Sequence, residues 1–329
     1  MSSEVDTAAA APGAAASSAP LRLGTRRSPL ARAQSSQVAR DLEQRLGRAV
    51  ELVEVVTEGD RSGQPLTVIG GTGVFVTALR EALLQGRIDL AVHSLKDLPT
   101  APADGLTVAA VPRREDPRDA LVSPAGLTLG ELPPGSRIGT GAPRRAAQLA
   151  ALGLGLQLVP IRGNVDSRIA KAVGGEVDAV VLARAGLARL ERLEVITEVL
   201  DPLQVLPAPG QGALAVECRS DDLELATALT AALEDPRSRA AVTAERALLS
   251  ALEAGCTAPV GALADVTGGA WEGESDEPAE LYLRGVVAAV DGSDLLRLSA
   301  TAPLDEPESL GRRLAADLLD SGAAELMGL

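Results

Sequence analysis

The residues best equipped for chemistry stand in the tract Val92 to Pro99, V-H-S-L-K-D-L-P. There the single histidine, a hydroxyl, an ammonium and a carboxylate follow an apolar run. Lys96 could form a Schiff base if its amine's pKa were depressed. The neighbouring charge of Asp97 argues against that use, because it raises the amine's pKa. His93, alone beside a strand, reads most simply as a ring satisfied by backbone. Cys256 is a second nucleophile candidate and could in principle pair with His93. It follows the expected C-terminus of a helix, however, where the dipole disfavours a thiolate, and a small buried residue is an equal reading. One histidine and two distant cysteines offer no metal-ligand spacing, so no metal is expected.

Arginines form the second constellation: Arg26 and Arg27, Arg144 and Arg145, then Arg162 and Arg168 in I-R-G-N-V-D-S-R. Each group sits where a strand gives way to a helix, and helix N-termini and guanidinium forks both favour anions. The implied ligand is a polyanion. Neither G-x-x-x-x-G-K-S/T nor G-x-G-x-x-G is present, and Gly70-Gly71-Thr72-Gly73 lacks those spacings, so several carboxylates are a better match than a nucleotide.

These residues require an α/β scaffold. Ile88 to Val92 is aliphatic apart from Asp89 and reads as a buried strand, with the polar tract at its carboxyl end, where α/β sheets bind ligands. Leu21 to Gly24 is a strand followed by Thr25-Arg26-Arg27-Ser28-Pro29 and a helix to Gly47, with Ser28 as cap and Pro29 at the first helical position. Arg137 to Gly153 repeats the plan through Thr140, Pro143 and Arg144-Arg145. Strands Glu51–Thr57 and Leu156–Ile161 then match, as do G-R-I-D-L-A-V at Gly86 and G-E-V-D-A-V-V at Gly175.

The expected fold is α/β, with two similar periplasmic-binding-protein-like lobes around a cleft and a small α+β C-terminal domain. Residues 21–114 with 213–232 form lobe 1 and 115–212 form lobe 2. The remainder, 235–329, is expected to hold a helix from Asp235-Pro236 to Ala254, strands Pro259–Val266, Leu281–Val290 and Leu295–Ala300, and a last helix over Pro307–Leu326. Residues 1–20, rich in Ala and Ser, read as a disordered extension.

The 329-residue chain is 46% hydrophobic and only 1% aromatic, with a formal charge of -14. Its cores must be aliphatic, and both the charge and the missing stacking residues argue against a nucleic-acid partner. No stretch reaches the roughly 20 apolar residues that span a bilayer, and the start lacks a basic region before an apolar one. The reading is a cytoplasmic protein with no membrane partner and with free thiols at Cys218 and Cys256.

Taken together, these motifs resemble the porphobilinogen deaminase (hydroxymethylbilane synthase) family. The resemblance is carried by G-T-R-R-S-P-L at Gly24, G-G-T-G-V-F-V at Gly70, V-H-S-L-K-D-L-P at Val92, R-E-D-P-R-D at Arg114, I-R-G-N-V-D-S-R at Ile161, L-P-A-P-G-Q-G-A at Leu206 and E-A-G-C-T-A-P-V-G at Glu253. It runs from about Leu21 to the C-terminus.

The resemblance implies a transferase of porphyrin biosynthesis that joins four porphobilinogen molecules head to tail, with release of ammonia, into hydroxymethylbilane. Growth starts from a dipyrromethane cofactor, here attached through Cys256, and Asp97 matches the catalytic aspartate. Arg26, Arg144, Arg145, Arg162, Arg168 and Arg189 are implied to hold the acetate and propionate groups of cofactor and substrate. Thr25, Ser28, Ser94, Lys96, Thr140, Asn164 and Gln211 are implied to line the cleft, and Phe75 to lie near the reacting pyrrole. A monomer is implied as well.

Two departures from the family pattern stand out: Thr72 where lysine is frequent, and Gly141-Ala142-Pro143 where Ser-Ser-Leu is frequent. A rival reading, a non-catalytic two-lobed receptor for a polycarboxylate, accounts for the arginines and the repeat but not for Cys256 and a separate domain bearing it.

Overall fold

The computed structural model describes residues 19–56, 73–253, 258–268 and 278–328. Thr72, the Gly70-Gly71 pair, Gly255, Cys256 and the side chain of Phe75 lie outside the described residues.

The first lobe opens with β1 (Leu21–Thr25) and α1 (Pro29–Leu46). Ser28 Oγ accepts from the Ala31 N–H at 3.3 Å, Pro29 occupies the first turn, and Gly47 ends the helix at φ 63°. β2 (Val50–Glu54), α2 (Gly73–Leu84), β3 (Leu90–Ser94) and β4 (Leu106–Ala110) follow. The chain then builds β5 (Asp119–Val122), β6 (Arg137–Thr140), α3 (Pro143–Ala151), β7 (Gln157–Pro160), α4 (Val165–Val173), β8 (Ala179–Ala183), α5 (Arg184–Arg189) and β9 (Glu198–Val199). It ends this part with β10 (Leu214–Arg219) and α6 (Leu223–Leu233).

The repeat read from the sequence is a repeat of structure. One sheet has the order β2-β1-β3-β10-β4 and the other β7-β6-β8-β5-β9. In each, four strands run in one direction and a single antiparallel strand fills the fourth position, β10 in the first sheet and β5 in the second, each following the other sheet's last strand. Even the ion pairs match. Arg22 binds Asp89 at 2.7 Å and Arg137 binds Asp178 at 2.9 Å, each tying the first strand of the repeat to the residue leading into its third.

Helices cover both faces of each sheet, so the strands are aliphatic on both sides. In the first lobe, Val38 and Leu42 of α1 join Leu225 and Leu229 of α6 on one face, while Leu79 and Leu83 of α2 close the other with Ile88. In the second, Ile169 of α4 and Leu149 of α3 lie on opposite faces.

β3 runs two residues past the expected end at Val92. His93 and Ser94 pair with Ala215 and Leu214 of β10, a partner too distant in sequence for local pattern to reveal.

The C-terminal part comprises α7 (Pro236–Ala251), β11 (Val260–Thr267), β12 (Glu280–Ala288), β13 (Leu295–Pro303), α8 (Pro307–Asp320) and α9 (Ala323–Met327). Asp235 caps α7, accepting from the Ser238 N–H at 2.7 Å. The three strands form an antiparallel sheet, and Leu248, Leu283, Leu314 and Leu318 are fully buried between it and the helices, each burial contributing about 1.5–3 kcal/mol. Strand ends differ from expectation by one to three residues, β12 closing at Ala288 rather than Val290 and β13 running on to Pro303 past Ala300, and both helices differ as well. α7 stops at Ala251 rather than Ala254, and the final helix breaks at Gly322, whose φ of 100° no α-helix accommodates.

Candidate active site

β3 delivers the reactive tract. After Ser94 the backbone tightens into a 3-10 turn, Leu95–Asp97, closed by the Leu98 N–H on Leu95 O at 3.1 Å. Leu95 and Leu98 are buried anchors, so Lys96 and Asp97 project from the turn half-buried. Ser94 Oγ is 2.9 Å from Gln34 Nε2 on α1, a partner the sequence reading did not name.

His93 serves the scaffold. It is 5% exposed, and its Nε2 lies 3.2 Å from Glu217 Oε2 on β10, with Arg80 Nη2 2.9 Å from the other carboxylate oxygen. Burial opposes ionisation of Glu217, yet His93 and Arg80 hold its carboxyl below the ordinary value. The ring therefore meets a carboxylate rather than the backbone expected for it. Cys218, on the same strand, is fully buried, and burial pushes its thiol up to about 11, which makes it unreactive.

Across from the turn stands the second lobe. Asp119, the first residue of β5 and completely buried, organises it. Arg144 Nη2 donates to its Oδ2 at 2.8 Å and Arg145 Nη2 to its Oδ1 at 2.7 Å. Gln211 Nε2 also donates to Oδ1, at 2.7 Å, while Gln211 Oε1 accepts from Lys96 Nζ at 3.3 Å. Burial opposes the charge on Asp119, but the two guanidiniums and the Gln211 bond hold its carboxyl far below the usual range. One continuous chain of hydrogen bonds thus runs from Lys96 through Gln211 and Asp119 to the arginine pair.

The expected site residues fall into distinct environments. Arg144 and Arg145 are each 4% exposed, and besides Asp119 they donate to Leu206 O and Val181 O respectively. Arg189 donates to Gly212 O at 2.6 Å, and burial brings it down to about 10 against the pull of Glu115. Gly212, at φ 88°, is where a side chain would strike Glu115 O, so the tight G-Q-G turn requires glycine.

Arg168, on α4, donates to Gly163 O at 2.8 Å and is lowered by burial and by Arg145 and Arg162, with Asp97 pulling the other way. That interaction places Asp97 of the first lobe within electrostatic reach of Arg168 in the second. Arg162 and Asn164 are exposed, Asn164 capping α4 through the Ser167 N–H at 2.8 Å. Thr25 and Thr140 are buried at equivalent strand ends, and Arg26 and Ser28 are half-buried at the start of α1.

Among Lys96, Arg144, Arg145, Arg168, Asp97 and Asp119, cations outnumber carboxylates. Arg145 Nε is buried with no hydrogen-bond partner among the described residues. A ligand bearing carboxylates supplies what this donor set lacks, which is the requirement a dipyrromethane meets.

Family comparison agrees with this chemistry. Residues 21–227 match the model described as "Porphobilinogen deaminase, dipyromethane cofactor binding domain", and residues 239–320 match "Porphobilinogen deaminase, C-terminal domain". The chain belongs to the porphobilinogen deaminase family. Porphobilinogen deaminase of Nocardia farcinica is 59% identical over 318 residues, covering 96% of this chain and 90% of that protein. Porphobilinogen deaminase 1 of Streptomyces avermitilis is 59% identical over 321 residues, covering 94% and 97%. Among solved structures, the methionine-binding protein MetQ aligns at a TM-score of 0.40 and 14% identity, over 64% of this chain and 89% of that one. The two-lobed architecture rests on the sheets of this chain itself.

No helix among the described residues is long and apolar enough to cross a membrane.

Proposed function

We propose that this porphobilinogen deaminase family chain joins four porphobilinogen molecules head to tail into hydroxymethylbilane, releasing one ammonia at each addition. The observation that carries the reading is the juxtaposition of the Lys96-Asp97 turn with the Asp119-organised arginines and Arg168 across the lobes. A receptor for a polycarboxylate would need the arginines but not a carboxylate set within their field.

Each addition breaks the aminomethyl C–N bond of porphobilinogen, forms a C–C bond to a terminal pyrrole and expels one proton, and after four additions one water cleaves the bond to the primer and supplies the hydroxyl of hydroxymethylbilane. When bound, the dipyrromethane supplies the first such pyrrole. Asp97 is the group that stabilises the positive charge left when the amine departs, and its carboxylate can take the expelled proton. Lys96, tethered to Gln211, and Arg168 orient ring carboxylates around it. Arg26 and Ser28 at the start of α1, and Arg162 with Asn164 at the start of α4, add anion-binding donors at helix N-termini. Arg144, Arg145 and Arg189 fix the floor and the crossover loop as well as contributing positive potential.

Cys256 is assigned the thioether to the dipyrromethane, and Phe75 a place beside the reacting pyrrole. Lobe limits of 21–114 with 213–232 and of 115–212 accord with the strand membership of the two sheets. A cytoplasmic monomer is the matching state. The test is direct: the purified chain supplied with porphobilinogen should release four ammonia molecules per hydroxymethylbilane formed. Binding of porphobilinogen without ammonia release would favour the receptor.

A further inference from the structure

We infer that Arg246, on α7 of the C-terminal part, is a positioning residue that clamps the turn bearing Asp97. Its guanidinium reaches out of its own domain to three carbonyls of one turn. Nη1 donates to Leu98 O at 2.8 Å and to Leu95 O at 3.4 Å, and Nη2 donates to Pro99 O at 2.6 Å. These acceptors bracket Lys96 and Asp97 on both sides.

A turn this short has little holding it from within. Its own backbone bond is that of the Leu98 N–H to Leu95 O, and Pro99 contributes no N–H. A planar guanidinium with its donors in a fixed fork suits three carbonyls in an arc, whereas an ammonium could satisfy them only partly.

The adjacent residue holds the other side. Glu245, completely buried, accepts from Arg114 Nη1 at 2.6 Å, from the Gly210 N–H at 2.6 Å and from the Ala264 N–H at 2.8 Å. Glu245 therefore docks α7 to the loop that carries Gln211, and Arg246 docks it to the turn that carries Asp97. Two consecutive residues of one helix set the distance between the two halves of the Lys96–Gln211 contact. In sequence, the same helix leads to Cys256, so the domain expected to hold the primer also holds the carboxylate expected to act on it.

This inference rests on the catalytic reading of Asp97, because misplacement of about 1 Å can cost a hundredfold in rate. Arg246→Gln and Arg246→Lys, made in the full chain, test it with two readouts. In the Gln variant, amide exchange of Lys96–Leu98 should accelerate about tenfold or more while β3 amides stay protected. Its kcat should fall at least tenfold with KM for porphobilinogen within about twofold and covalent cofactor mass unchanged, and Arg246→Lys should lie between parent and Gln. Turn amides as protected as in the parent, or a kcat loss that only follows loss of cofactor or of folded protein, would overturn it. Failure of the catalytic reading would appear separately, as absence of turnover in the parent, with amide exchange still reporting on the clamp.

Discussion

Gln211 Nε2 donates to Asp119 Oδ1 at 2.7 Å, joining the loop that leads back to the first sheet to the opening residue of β5 in the second. Lys96 reaches the other end of the same amide. Through this one side chain, the charge balance beneath the arginines is coupled to the turn that carries Asp97.

Asp119→Asn should be among the most damaging single changes in the chain. It leaves Arg144 and Arg145 buried with their countercharge removed, a loss of about 3–5 kcal/mol for breaking a buried pair from one side. Urea unfolding should show the drop. The sign with pH also follows. Because the folded carboxyl is held below its ordinary value, its stabilisation is complete above the unfolded value of about 3.9 and is lost as pH falls toward the folded one. Unfolding free energy of the parent should therefore decline more steeply below about pH 4 than that of Asp119→Asn. Parallel acid profiles would contradict the assignment.

Lys96 is expected to titrate near physiological pH. Burial, aided by Arg145 and Arg144 and opposed by Asp97 and Asp119, brings its ammonium down to about 8. Between that value and the ordinary one of about 10.4 the unfolded chain binds the extra proton, so stability should rise with pH across the window. Binding runs the other way. KM for porphobilinogen should increase as pH passes above about 8, when the charge is lost, and the increase should be absent in Lys96→Met. An identical KM profile in both proteins would remove Lys96 from anion binding.

Asp97→Ala should fold like the parent, because the carboxylate is half-buried and the turn is anchored by Leu95 and Leu98. Turnover should fall by several orders of magnitude, since charge stabilisation and proton removal are both lost. Stopped-assay quantification of hydroxymethylbilane reads it. Rates near those of the parent would assign the cation to another group.

Much of this architecture was legible in the sequence for a local reason. Proline at a helix start, glycine at its end and an aliphatic strand between them are short-range signals, and their recurrence in order disclosed the two sheets. Arg22–Asp89 and Arg137–Asp178 are the same device used twice. The organisation of the site was less legible. Asp119 closes the R-E-D-P-R-D motif at the head of an apolar run, which marks it as a buried acid, but its partners are 25, 26 and 92 residues away. Neither periodicity nor composition links such positions. Local pattern points Arg144 and Arg145 to a ligand or to an ion pair without naming the partner, and their engagement with Asp119 comes from the fold. Arg246 and Gln34 were not anticipated for the same reason: each acts across a domain or sheet boundary on a turn that its own helix does not contain.

The most direct test of the account is the intact mass of the purified full-length chain beside Cys256→Ser. The parent should carry additional covalent mass equal to two pyrrole units, and the variant should carry none. An unmodified parent that still converts porphobilinogen to hydroxymethylbilane would contradict growth on a primer tethered at Cys256.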